Sequence, residues 1–275
     1  MNTLGQGLGR RLATLIASGI TVFAVGVLPA VAGGDTYKPE QKSTRVKIGG
    51  AALVAPKYEG SNDYEVIGFP TVSLGTVGGR LTVDGADSVK YALHKKDGFE
   101  FGPLVGYRFG RDEDDGELLT GLGDVDGGLV VGAYAKYWIG SAYLSASYHQ
   151  QVTGDDTGYE IKLKAGAERE LSDRVKVDAS VGATYSSDEY MDSFFSVPSG
   201  GGTTAGAYDA DAGFKSIHAN LGMTIVLSDR WEAKVSGQYT RLLDEAGDST
   251  VVESKDQFMG LVGLSYSFDW PGRSK

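Results

Sequence analysis

Apolar and polar residues alternate one by one through five long segments of the chain. In the last of these segments, Phe258, Val262 and Phe268 share one face, whereas Gln257 and Ser265 share the other. A period of two predicts a β-strand with one apolar and one polar face. The five segments are 159–168, 174–185, 216–225, 231–240 and 257–268.

The same reading, extended along the chain, predicts twelve strands. The connections after the even-numbered strands are short, whereas most of those after the odd-numbered strands are long, with the longest at 186–212. The predicted strands are 45–55, 65–75, 79–85, 88–95, 98–109, 127–139, 141–152, 158–170, 174–187, 213–227, 231–243 and 256–268.

Long loops on one side and short turns on the other are typical of an outer-membrane β-barrel, in which the short turns face the periplasm. An even strand count returns both termini to that side. We therefore predict an all-β, up-and-down antiparallel transmembrane barrel over residues 45–268. A water-soluble β-sandwich is the alternative, because it also alternates, but with its apolar face buried.

The first 32 residues predict an export signal. Arg10 and Arg11 precede an uncharged stretch over 12–28, and Ala30-Val31-Ala32 forms a small-residue cleavage site. This three-part order is that of a secretory signal peptide, and a transmembrane anchor is the alternative. We predict cleavage after Ala32, a periplasmic N-terminal tail over 33–44 and a periplasmic C-terminal tail over 269–275.

In a membrane barrel the apolar face meets lipid and the polar face lines the lumen. Leu264, Tyr266 and Phe268 close the last strand and resemble the terminal signal by which such barrels are recognised for insertion. Aromatic residues near strand ends predict two girdles: Tyr107, Tyr137, Tyr148, Tyr185, Tyr239 and Phe268. The candidate lumen charges are Glu160, Lys162, Lys164, Lys176, Glu232 and Lys234.

Composition removes several function classes. The net charge of −10 argues against nucleic acid as a partner, because phosphates need basic partners. The chain has no cysteine, so disulfides and cysteine chemistry are excluded. An acid-rich loop over 112–126 contains oxygen ligands for Ca²⁺, but its spacing matches no calcium loop, and a solvated loop explains it.

The sequence offers no candidate for catalysis. The strand phases place His94, His149 and His218 on the lumen side, away from the lipid face that a phospholipase would use. No G-x-S-x-G motif is present. We therefore expect no enzyme, no catalytic residue, no cofactor and no metal site. Mixed signs along the lumen face leave two readings open, a salt-bridged interior and an anion-favouring pore.

Several segments, in order along the chain, resemble the MipA/OmpV family, also called MltA-interacting proteins, of Gram-negative outer membranes. The first motif contains Pro56, Tyr58, Gly60 and Ser61, and it is followed by Phe69-Pro70. The remaining motifs are 119–126, 194–197, 239–246 and 263–268. The resemblance covers nearly all of the chain after the signal peptide.

The resemblance implies a non-enzymatic scaffold that links a membrane-bound lytic transglycosylase to a bifunctional penicillin-binding protein in peptidoglycan synthesis. Contact with outer-membrane lipid and lipopolysaccharide is expected. Tyr37, Trp270 and Arg273 are candidate periplasmic contacts, because little else lies on that side. The alternatives are a narrow channel for small polar solutes and a surface adhesin or receptor acting through 186–212.

Overall fold

The computed structural model describes residues 44–74, 80–84, 88–155, 157–200 and 202–270. The predicted signal peptide, most of the N-terminal tail with Tyr37, and Arg273 lie outside these residues. The strands are β1 (Thr44–Pro56), β2 (Tyr64–Leu74), β3 (Leu81–Asp84), β4 (Ser88–Tyr91), β5 (His94–Lys96), β6 (Phe99–Arg108), β7 (Gly128–Ile139), β8 (Ala142–Gln151), β9 (Tyr159–Ser172), β10 (Val175–Ser186), β11 (Gly213–Val226), β12 (Trp231–Leu242) and β13 (Asp256–Trp270). Two short helices are α1 (Asp188–Phe195) and α2 (Asp244–Asp248), and 3₁₀ turns lie at Glu113–Asp115 and Glu117–Leu119.

All strands belong to one antiparallel sheet, which runs in the order β2-β1-β13-β12-β11-β10-β9-β8-β7-β6-β4-β3, with β5 also paired to β6. The first and last strands are hydrogen-bonded partners, from Thr44 with Trp270 to Val54 with Gly260. The two strands at the ends of this order, β2 and β3, are consecutive in the chain. The fold is a β-barrel with twelve strand positions, as predicted.

Several strand bounds differ from the prediction by one or two residues, and one predicted strand is divided. The predicted strand 88–95 is broken into β4 and β5 at Ala92 and Leu93, where Leu93 N still donates to Phe101 O at 3.0 Å. Gly102 permits the break, because a Cβ atom there would collide with the carbonyl of Tyr91. In addition, β13 continues to Trp270, two residues beyond the predicted end.

The apolar face of the sheet is its exposed face. Val66, Leu221 and Val262 are 66%, 65% and 59% exposed, whereas Glu160 and Lys234 on the opposite face are buried. A protein in water buries its apolar face, so this inverted arrangement rules out the sandwich. It fits a barrel whose wall is surrounded by lipid.

Exposed aromatic side chains form a belt near each end of the wall. At the outer end, Tyr148 packs on Tyr159 with ring centroids 5.4 Å apart. At the other end, Trp231 packs on Tyr266 at 5.1 Å. Further ring pairs are Tyr107 with Phe109 and Tyr185 with Phe214 in the outer belt, and Tyr266 with Phe268 in the other. These are the girdles that the sequence predicts.

Loop length differs between the two ends, as predicted. The long connections are 57–63, 109–127, 152–158, 187–212 and 243–255, and the short turns include 97–98, 140–141, 173–174 and 227–230. Within the described ranges, no helix is long and apolar enough to cross a membrane.

Candidate functional site: a capped lumen with charged walls

The long loops pack together over the outer mouth of the barrel. Helix α1 begins at Ser187, whose hydroxyl accepts a hydrogen bond from Tyr190 N, and it buries four large side chains. One apolar cluster joins helix α1 to the end of β12, to helix α2 and to loop 109–127. Its members are Val125, Tyr190, Met191, Phe194, Phe195, Ala210, Leu242 and Ala246. A second cluster contains Tyr58, Leu119, Val197, Ala205 and Val251. We call this packed assembly of loops 57–63, 109–127, 187–212 and 243–255 the cap.

Hydrogen bonds between loops fix the cap. Ser249 Oγ donates to the carbonyl of Phe195 at 2.5 Å, although 54 residues separate them. Tyr208 OH lies 2.9 Å from both the backbone and the side-chain oxygen of Glu245. Val197 and Tyr208 form a two-way backbone bridge. The cap is therefore one folded unit and not a set of separate loops.

The predicted family motif loop belongs to the cap. Tyr58 is buried and its hydroxyl donates to Val251 O at 3.0 Å. Gly60 has a φ of +101°, and a Cβ atom there would lie 2.6 Å from the Val252 side chain. Ser61 is buried, and Pro56 ends β1. These four residues therefore help to hold the start of this loop against the rest of the cap.

Carboxylates of the acid-rich loop accept backbone hydrogen bonds. Glu113 N donates to Asp124 Oδ1 at 2.8 Å, and Glu113 Oε2 accepts from Gly121 N and Gly123 N at 3.3 Å. Asp115 caps the backbone N–H of Asp112 at 3.1 Å. The acids therefore hold the loop in shape.

A chain of charged side chains crosses the lumen directly beneath the cap. Lys215 Nζ lies 2.9 Å from Glu160 Oε1 and 2.9 Å from Glu59 Oε1. Arg108 Nη2 lies 3.3 Å from Glu160 Oε2. Tyr190 OH donates to Glu59 Oε2 at 2.9 Å and lies 2.8 Å from Lys215 Nζ. We call these five residues the brace.

The brace ties together distant parts of the wall. Arg108 is on β6, Glu160 on β9 and Lys215 on β11, while Glu59 comes from the loop after β1. Arg108 also donates from Nη1 to Thr157 O at 2.8 Å. Because the side chains of Lys215, Arg108 and Glu160 are all buried, each charge depends on its partners for the solvation that water would otherwise give.

Lys215 reaches the lumen through a β-bulge. Tyr185 pairs with Phe214 and Thr184 with Ser216, so Lys215 is an extra residue on β11. Bulges of this kind redirect a side chain. Strict alternation from Ile217 would place Lys215 on the lipid face, and for that reason sequence reasoning missed it. A lysine at an apparent lipid-facing position was the available signal.

Burial keeps two tyrosine hydroxyls neutral, that of Tyr190 in the brace and that of Tyr58 in the cap. Burial, reinforced by the charge of Glu59, raises the pKa of Tyr190 well above its usual value. Burial and the neighbouring Glu253 raise the pKa of Tyr58 in the same direction. Both phenols therefore remain hydrogen-bond donors at any physiological pH.

The structure places all six candidate lumen charges on the inward face, and most have opposite partners. Lys47 Nζ lies 2.9 Å from Glu232, Lys176 lies 2.7 Å from Glu170, and Lys162 lies 3.8 Å from Glu160. Lys234 is buried, whereas Lys164 is partly exposed to the lumen. This pairing favours the salt-bridged interior over a ring of one sign.

The prediction for the histidines is right for two and wrong for the third. His149 and His218 face the lumen. His94 lies on the outer face, where its ring stacks on Phe101 at 5.6 Å. The break at Ala92 and Leu93 shifts the alternation by one, so that Lys95 and not His94 points inward to Glu100, at 3.6 Å.

The wall has its apolar face outward, an aromatic belt near each end, and long loops at one end only. These features define an integral membrane β-barrel of the outer-membrane type. The sequence model of the family described as MltA-interacting protein MipA matches residues 48–268. The chain belongs to this family.

Two relatives are outer membrane protein Omp26La of Vibrio anguillarum and outer membrane protein OmpV of Vibrio cholerae serotype O1. Each is 25% identical to this chain, over 166 and 168 residues respectively, which is 60% of this chain and 64% of the relative. The chain therefore spans less than two thirds of the length of these curated relatives.

Solved structures with a similar fold include two outer-membrane proteins. The translocator domain of the autotransporter NalP from Neisseria meningitidis has a TM-score of 0.43 and 13% identity, over 95% of each chain. The NanC porin has a TM-score of 0.39 and 10% identity, over 81% of this chain and 98% of that one. At these scores the two structures carry no further conclusion.

Proposed function

We propose that the protein is a non-enzymatic outer-membrane scaffold that holds peptidoglycan enzymes at the periplasmic face. Membership of a family described as MltA-interacting supports a lytic transglycosylase as partner, and the family resemblance adds a bifunctional penicillin-binding protein. Export through a signal peptide over residues 1–32 and residence in the outer membrane, among lipid and lipopolysaccharide, belong to the same proposal.

The observation that carries the proposal is the cap. Two apolar clusters and the brace occupy the outer mouth, and a scaffold needs no open passage. A transport function would require this packed unit to move. The contribution of the cap to a scaffold is rigidity, which keeps the wall and the periplasmic rim in a fixed shape.

The periplasmic rim offers the contact surface. Trp270 ends β13 there, and its backbone pairs with Thr44. We propose Trp270, Arg273 and Tyr37 as contacts for the enzymes. A standard interface buries roughly 800 Å² on each partner, so the short turns and both chain ends would all take part.

Cross-linking in intact cell envelopes, followed by detergent extraction and capture of the tagged full chain, tests the scaffold. A lytic transglycosylase or a penicillin-binding protein in the eluate is the expected result. Deletion of residues 271–275, which spares β13, should reduce the yield, whereas Lys57→Ala at the outer end should not. Repeated recovery of lipopolysaccharide and barrel-assembly factors alone, beside a working positive control, would overturn the proposal.

A narrow channel is the second candidate, and the observation in its favour is space within the wall. Lys164 and His218 face inward and yet remain partly exposed. Step-like conductance in a planar bilayer that disappears on mutation of Lys164 would support this function. An adhesin acting through 187–212 has less support, because the largest apolar side chains of that segment are buried.

A further inference from the structure

An unpaired basic recess lies on the inner wall below the brace. The register pairs Gly182 of β10 with Lys164 of β9 on one side and with His218 of β11 on the other. Since Gly182 has no side chain, the imidazole lies over its backbone, and a Cβ atom there would be 2.5 Å from His218 Nε2. The glycine thus lets the imidazole of His218 lie against the wall beside Lys164, and we call these three positions the recess.

Neither wall of this recess has a partner of its own. Within the described part of the chain, the side chains of Lys164 and His218 make no hydrogen bond and no ion pair, in contrast to the lysines at 47, 176 and 215. The two acids four residues away on the same strand face already have cations of their own. Glu160 is held by Lys215 and Arg108, and Glu168 lies 3.9 Å from Lys136.

Hydroxyl groups border the recess. Ser145 of β8 pairs with Lys164, and Ser147 pairs with Lys162, although the Ser147 hydroxyl is already held 2.9 Å from His149 Nε2. Thr184 of β10 also pairs with Lys162. The side chains of Lys164, His218 and Ser145 are partly exposed, whereas Thr184 and all of the brace except Glu59 are buried. The recess is therefore hydrated, and the cap separates it from the outer surface.

We propose that the Lys164–Gly182–His218 recess binds an oxyanion, the carboxylate or phosphate group of a small solute that enters the lumen from the periplasmic end. Lys164 supplies the positive charge, His218 and the Ser145 hydroxyl supply directed hydrogen bonds, and Gly182 makes room for the imidazole beside the ammonium group. Charge-assisted hydrogen bonds to oxyanions are the stronger class of hydrogen bond, and an ammonium group is well suited to this role.

Titration of the purified full chain in detergent micelles with inorganic phosphate, at constant ionic strength set by chloride, tests the site by calorimetry. A second titration uses glucuronate as a carboxylate probe. We expect saturable binding of at least one probe, and the stronger of the two identifies the group that the site prefers. Saturable binding of neither probe would overturn the proposal.

Substitution locates the binding. Lys164→Gln should weaken binding about tenfold or more, the loss expected for one charge-assisted hydrogen bond. Lys164→Arg should retain most of it. Lys176→Gln is the matched control, because Lys176 is also an inward lysine but is paired with Glu170 at 2.7 Å. Equal losses in Lys164→Gln and Lys176→Gln would show a general charge effect and contradict the site.

The unmodified protein provides a readout that does not depend on whether a variant folds. The chain has three histidines, so labelling their rings with ¹⁵N gives a small set of NMR signals. Whichever probe binds should move the signal of one histidine, His218, and leave His94 and His149 in place. Three unmoved signals at saturation, or equal movement of all three, would contradict the proposal. Capture of cell-wall enzymes is a separate measurement, so failure of the scaffold would leave this result standing.

Discussion

At the outer end of the barrel, loops from four parts of the chain bury Phe195, Leu119 and Val251 and close over a network of charges. At the opposite end, the turns at 140–141, 173–174 and 227–230 are exposed and only join one strand to the next. Strand length and hydrogen-bond ladders are similar at both ends. The difference therefore lies in side chains, since among the described residues the loop end has a core of its own and the turn end has none.

This contrast shows where the tertiary packing of a membrane barrel can reside. The apolar residues of the wall face lipid. Its inner face is therefore polar and contributes little hydrophobic burial. The cap lies outside the bilayer, where water again makes apolar burial favourable. The molecule thus combines a wall of the membrane type with a small core of the water-soluble type.

The largest expected effect is a difference in the free energy of unfolding between two lysine-to-methionine variants, one at each end of the barrel. Lys215→Met leaves Glu160 buried without its closest cation and should lower the free energy of unfolding by about 3–5 kcal/mol. Lys176→Met breaks an ion pair whose acid, Glu170, is 59% exposed, and should cost about 1 kcal/mol or less. Urea unfolding in lipid vesicles measures both values. Equal losses would contradict the contrast between the two ends.

A smaller effect should appear at alkaline pH, and only in the cap. Burial, the hydrogen bond to Glu245 and the charge of that carboxylate raise the pKa of Tyr208 from 10.0 to about 12. Because the folded pKa is raised, the stabilisation by neutral Tyr208 is complete below pH 10.0 and is lost as the pH rises through about 12.

Near-ultraviolet circular dichroism should therefore show the cap loosening across that interval, while far-ultraviolet circular dichroism of the wall stays constant. Tyr208→Phe should flatten the change, because it removes the titrating group. A wall signal that falls together with the cap signal would show that the two are not separable units.

The smallest effect is expected in the turns. One glycine inserted between Asp173 and Arg174, both exposed, should change the free energy of unfolding by less than about 1 kcal/mol. The same insertion after Ser249, whose hydroxyl binds Phe195 O, should open the cap to limited proteolysis. Resistance to protease after the second insertion would contradict a cooperatively packed cap.

The wall could be predicted from the sequence because its rule is local. Alternation in 257–268 and 174–185 requires only the period of a strand, and the same period assigns Val262 to lipid and Lys162 to the lumen. Loop lengths then orient the barrel. Each of these inferences uses neighbours in the chain. The strands and the difference in loop length are confirmed in the fold, and the orientation stays a prediction.

Prediction failed where an insertion changes the phase of a strand. The bulge before Ser216 turns Lys215 inward, and the break at Ala92 and Leu93 turns His94 outward. The cap could not be predicted either, because its clusters join segments as distant as Tyr58 and Val251. The period of the apolar pattern and the strand propensity of the residues carry no information about such contacts. The brace combines both difficulties, because Lys215 depends on a bulge and Glu59 comes from a distant loop.

The ladder between β1 and β13 also sets an order of events in time. The ladder runs from Thr44 with Trp270 to Val54 with Gly260, so the closing hydrogen bonds join residues from the two ends of the barrel sequence. Until β13 has been synthesised, β1 has an unpaired edge, which hydrocarbon does not tolerate. Contacts so distant in sequence are also slow to form. Insertion must therefore wait for the last strand, and a ribosome that stops early would release a chain with no way to close.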